Sequence, residues 1–176
     1  MEYTFTLKYQ LTAGDCDADD LVERLGAAGC DDAMVGIGQP GRIALEFTRE
    51  APDADAALES ALTDVIAAIP SAKLIEAAPD FVGLTDVAEL VGVSRQNMRK
   101  LRVTHPTSFP PPVHENSAAT WHLVDVLEWL QGQGGYTMEP AMVEVSRSAR
   151  HINIAKEVAQ LGGAKSGRAN RLSAVL

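Results

Sequence analysis

Arg95, Gln96, Asn97, Arg99, Lys100 and Arg102 fall within nine residues that start at Ser94, a stretch with four positive charges and no acid. These side-chain types suit nucleic acid. A guanidinium bridges O6 and N7 of guanine, an amide pairs with N6 and N7 of adenine, and further cations hold phosphate. The bland alternative is a basic helix face that is merely solvated. What sets the stretch apart is its setting. The chain has 176 residues, 15 Lys plus Arg against 24 Asp plus Glu, and a net charge of −9.

Other chemistry is thin. Cys16 and Cys30 lie fourteen residues apart, and the first 78 residues hold no histidine to activate either thiol. His105, His114, His122 and His151 are scattered, with no acid or thiol at ligand spacing. The Gly36-Ile37-Gly38-Gln39-Pro40-Gly41 loop does not open a helix, so it lacks the geometry of a phosphate cradle. No catalytic residue, metal or cofactor is expected, and the chain is not expected to be an enzyme.

The basic stretch needs a frame. Thr85 reads as a helix N-cap with Asp86 in the first turn, and Val87, Ala88 and Val91 share one face. Gly92 stops that helix where a left-handed residue is needed, and Ser94 caps the next. Met98 and Leu101 turn inward from the second helix. Two helices so joined predict a helix-turn-helix, whose second helix enters the major groove.

Residues 84–102 are followed in order by Phe109-Pro110-Pro111-Pro112-Val113, Trp121 and Val124-Asp125-Val126-Leu127-Glu128-Trp129-Leu130. This series resembles the small winged-helix DNA-binding domain of phage excisionases and of MerR- and AlpA-type regulators. The resemblance covers residues 82–131, less than a third of the chain. It implies binding of double-stranded DNA through the second helix and a hairpin wing over residues 113–122. It also implies that Trp121 and Trp129 are core anchors. Two departures stand out. The flanks of Trp121 are Thr120 and His122 where the family carries arginine, and Val103–Ser108 is a longer link to the Phe-Pro turn. The wing holds Glu115 and no Lys or Arg, which leaves His114, His122, Asn116, Ser117 and Thr120 as its contact groups.

The first half carries the acidity. Residues 1–78 hold five bases and fifteen acids, residues 79–160 seven bases and nine acids, and residues 161–176 three bases and no acid. An acidic unit of −10 repels phosphate, so DNA contact is assigned to the second half. Tyr3, Phe5, Leu7, Tyr9 and Leu11 alternate as in a half-buried strand. The acidic run Asp15–Asp20 starts a helix that Gly29 closes. Residues 33–38 and 42–48 read as strands around a Gln39-Pro40-Gly41 turn. Pro52-Asp53 opens a second helix that Pro70 ends, and residues 73–78 give a last strand. The order β-α-β-β-α-β predicts a ferredoxin-like antiparallel sheet with both helices on one face. Pro79-Asp80 is the expected linker.

The expected class is therefore α+β: an acidic ferredoxin-like unit over 1–78 for dimerisation or sensing, and a winged helix-turn-helix over 80–135. A C-terminal helix over 139–161 and a basic tail over 162–176 follow. The helix stripe Met142, Val145, Ala149, Ile152, Ala155 and Ala159 packs on the winged domain or pairs with a second subunit. No apolar run approaches the roughly 20 residues of a membrane span, and the first residues do not form a signal peptide, so a cytoplasmic setting is expected. The function expected is a homodimeric, sequence-specific transcriptional regulator. An excisionase-like architectural protein and a ligand-sensing or protein-docking module are the alternatives. A small-molecule effector has no support in the sequence.

Overall fold

A computed structural model describes residues 1–15 and 17–161 and shows a mixed α and β protein. Cys16 and the basic tail with Lys165, Arg168 and Arg171 lie outside the described residues. The first unit runs β1 (Glu2–Gln10), α1 (Ala18–Ala27), β2 (Ala33–Gly36), β3 (Arg42–Glu50), α2 (Ala54–Ala68) and β4 (Lys73–Ala78). Its sheet has the order β2-β3-β1-β4, and every neighbouring pair is antiparallel. The alternation in β1 sends Tyr3, Phe5, Leu7 and Tyr9 to one face, where they meet Leu21 and Leu25 of α1 and Ala57, Leu58, Ala61 and Val65 of α2.

Local chemistry sets the boundaries. The Asp17 side chain accepts from the amides of Asp19 and Asp20, both at 3.0 Å, and starts α1. The Asp53 side chain does the same for Ala56 at 2.8 Å and starts α2. Gly41 (φ 75°) closes the Gln39–Arg42 turn, so the strand expected to reach residue 38 ends at Gly36. Arg49 fastens the helical layer to the sheet. It donates to both carboxylate oxygens of Asp32 (2.7 and 2.9 Å), to Asp64 (2.8 Å) and to the Gly29 carbonyl (2.9 Å), while stacking over Phe47.

The second unit runs β5 (Phe81–Val82), α3 (Leu84–Val91), α4 (Arg95–Thr104), β6 (Trp121–His122) and α5 (Leu123–Gln133). Val87, Ala88, Met98, Phe109, Trp121, Leu127 and Leu130 form its core. The N-cap of α3 is Gly83, not Thr85. The Asp86 carboxylate reaches back to accept from the Gly83 amide at 2.7 Å, which draws the helix start two residues upstream of the expected one.

The C-terminal helix α6 (Pro140–Leu161) joins the two units within one chain. Val145 and Ala149 enter the first core and Val143 enters the second. Expected partners were the winged unit or another subunit. The observed partners are both units of the same chain. Ala155 and Ala159, placed on the buried stripe by spacing, are exposed, whereas Ser146, Ser148 and Asn153 are buried. β4 is an edge strand, and α6 lies against it. The Asn153 side chain accepts from the Ala77 amide at 2.9 Å and donates to the Ala77 carbonyl at 2.8 Å. One amide thereby does the work of a neighbouring strand. Arg147–Glu128 and Arg150–Asp125 ion pairs tie α6 to α5.

The expected linker is also part of the packing. Asp80 is buried, and its backbone carbonyl accepts from the Leu123 amide at 2.7 Å. Among the described residues no helix is long and apolar enough to cross a membrane.

Candidate nucleic-acid interface

The helix pair is built as its caps dictate. Gly92 sits at φ 73° in the left-handed region, and the Ser94 side chain accepts from the Asn97 amide at 3.1 Å. With Met98 fully buried and Leu101 partly so, the helical repeat of 3.6 fixes the rest of α4. Gln96, Arg99, Lys100 and Val103 stand at the centre of the exposed face. Arg95 and Arg102 flank them on the side of the wing, and Asn97 flanks them on the other.

Residues 113–120, where the wing is expected, form a short hairpin. The Thr120 amide donates to the His114 carbonyl at 3.0 Å, and the Val113 amide to the Thr120 carbonyl at 2.8 Å. Asn116 shapes the tip by accepting from the Ala118 amide at 2.7 Å, and its side-chain nitrogen lies 2.8 Å from His114 Nε2. The Trp121 indole N–H donates to the Pro110 carbonyl at 3.0 Å, which anchors the wing to the Phe-Pro turn. Phe109 meets Trp121 and Trp129 edge-on. Trp121 is 2% exposed, so it is a core anchor and not a stacking platform.

Between α4, the start of α3 and the wing lies an open groove of about 750 Å³. Arg95, Arg99 and Arg102 line one wall, and Asn116, Ser117 and Thr120 line the other. Gly83, Leu84 and Thr85 close the end, so the first turn of α3 also faces the groove. Gln96, Asn97, Lys100 and His114 do not line it. Gln96 and Lys100 project beyond it on the exposed face of α4, and His114 is exposed on the wing.

His122 does not join this set. Its Nδ1 lies 2.7 Å from Asp80, its side chain is 12% exposed, and its ring packs against Phe81. It belongs to β6, which pairs with β5, and not to the hairpin bridged by His114 and Thr120.

Charge pairing is uneven along the chain, and Arg42 and Lys73 of the first unit are exposed with no ion pair among the described residues. Lys8, Arg24 and Arg49 of the first unit are each within 3.1 Å of a carboxylate. On α4 only Arg102 is so engaged, at 2.9 Å from Glu115, and it also lies 5.1 Å from the centre of the Trp121 ring. Arg95, Arg99 and Lys100 are exposed with no ion pair among the described residues. Asp86, the acid that lines the groove, has one carboxylate oxygen on the Gly83 amide.

Val103 is the residue that charge-based reasoning passed over. It lines the groove and is 76% exposed, an apolar side chain at the centre of a basic face. Its signal in the sequence was its place four residues after Arg99. Elsewhere, Cys30 is buried, and burial together with the Asp64 charge pushes its thiol up to about 11, which keeps it protonated and unreactive.

No protein-family model matches this chain, and no curated protein or solved structure matches it.

Proposed function

We propose that the chain is a sequence-specific DNA-binding regulator that presents α4 to the major groove of duplex DNA. In this account residues 80–135 are a winged helix-turn-helix, and residues 1–78 are a ferredoxin-like sandwich. The observation that carries it is the trio Arg95, Arg99 and Lys100, exposed and without ion pairs among the described residues, on one helix of an acidic protein. Holding like charges together costs energy unless an anion serves them.

Arg95, Gln96, Asn97 and Arg99 are assigned to base edges, and Lys100 and Arg102 to phosphate. Val103 is suited to a thymine methyl. The wing supplies Asn116, Ser117 and Thr120, whose hydroxyl and amide groups hold phosphate without a net charge. The acidic first unit keeps the remainder of the surface off DNA. The regulator is taken as a homodimer, a reading supported by the exposed apolar series Ile154, Val158 and Leu161 on the last turns of α6.

Binding of a labelled duplex measured across a salt series tests the account. The logarithm of affinity is expected to fall linearly with the logarithm of salt, by about 0.9 per phosphate held. The Arg95→Ala/Arg99→Ala variant is expected to lose at least tenfold in affinity. Equal binding by that variant, or none by the native chain at low salt, contradicts the account.

A further inference from the structure

We infer that Glu115 is a built-in competitor for DNA phosphate, which occupies Arg102 until the duplex displaces it. The inference rests on the DNA-binding account and adds a step to it. Arg102 is the one cation of α4 with an ion-pair partner among the described residues, and that partner, Glu115, is the only acid of the wing. The two are 2.9 Å apart, with Arg102 lining the groove and Glu115 next in the chain to Asn116 of its opposite wall. A carboxylate offers a guanidinium the same pair of oxygens as a phosphodiester, so the two ligands exclude one another.

Their surroundings differ in the way an exchange requires. The Glu115 side chain is 71% exposed and leaves without disturbing any packed group. Releasing an exposed pair of this kind shifts an equilibrium by no more than about five-fold. Arg102 is held from a second side, with its guanidinium over the Trp121 ring at 5.1 Å. Trp121 is itself fixed by its hydrogen bond to Pro110. Once Glu115 leaves, Arg102 stays aimed into the groove. The bound carboxylate also closes the wing onto α4 in the free protein, and its charge opposes any phosphate that does not fit well enough to replace it.

The test is a double-mutant cycle on duplex binding with the full chain, using Glu115→Gln, Arg102→Ala and both together. Glu115→Gln is expected to bind about five-fold more tightly than the native chain. Arg102→Ala is expected to bind more weakly and to reduce the salt slope by about 0.9, one phosphate contact. In the Arg102→Ala background, Glu115→Gln is expected to change affinity by less than twofold. The same gain in both backgrounds would mean general charge repulsion and overturns the inference, as does an unchanged affinity in Glu115→Gln. An unchanged salt slope in Arg102→Ala overturns it too. Absence of duplex binding by all four proteins overturns the DNA-binding account itself, a distinguishable result.

Discussion

His122 Nδ1 lies 2.7 Å from one carboxylate oxygen of Asp80, and the Asn153 side chain donates to the other at 2.8 Å. Asp80 thus holds a strand of the second unit and the helix α6 at once, at the point where the chain leaves β4. Removing Asn153 strands several groups together: the Ala77 amide, the Ala77 carbonyl and one oxygen of buried Asp80. Each buried polar group without a partner costs about 1–3 kcal/mol. Asn153→Ala is expected to lower stability by about 2–4 kcal/mol in urea unfolding. A loss below about 1 kcal/mol would show that water replaces the amide there.

The same junction predicts how the protein unfolds. α6 gives Val145 and Ala149 to one core and Val143 to the other, so neither core is complete without it. Both tryptophans, Trp121 and Trp129, belong to the second unit. Tryptophan fluorescence therefore reports that unit, while far-ultraviolet circular dichroism reports the whole chain. The two urea transitions are expected to coincide, with one midpoint and one slope. Separate midpoints would make the units independent.

Asp15 makes a pH-dependent contribution. Hydrogen bonds from Ser71 and then Arg24 hold its carboxyl below the ordinary value of 3.8. A carboxyl whose pKa is lower folded than unfolded stabilises the fold fully above the unfolded value, and that stabilisation is lost as pH falls through the folded one. The stability difference between the native chain and Asp15→Ala is expected to be constant from pH 7 to about pH 5. It is expected to shrink steadily below about pH 4. A difference that stays constant into acid would mean that Asp15 acts through shape and not through charge.

What could be read from the sequence was local. Ser94 and Gly92 mark a cap and a left-handed turn through bonds to their own neighbours, so the helix pair was legible without tertiary knowledge. The alternation of β1 was equally plain, because one buried face of a strand imposes it. Non-local partners were hidden. Asn153 is 76 residues from Ala77, and nothing in a polar residue announces that it will serve a sheet edge. Spacing alone therefore extended the apolar stripe to Ala155 and Ala159. His122 was misplaced for the same reason, since its partner Asp80 is 42 residues away. Thr85 lost the cap to Gly83 because Asp86 reaches back, a competition between candidates two residues apart that composition does not resolve.

Selection of bound sequences from a random duplex pool, run in parallel with the native chain and the Arg95→Ala/Arg99→Ala variant, tests the central claim most directly. The account predicts a defined motif for the native chain, with two related halves if the protein binds as a homodimer, and loss of that motif in the variant. No enrichment by the native chain at moderate salt, or the same motif from both proteins, would contradict the assignment of α4 as the element that reads DNA.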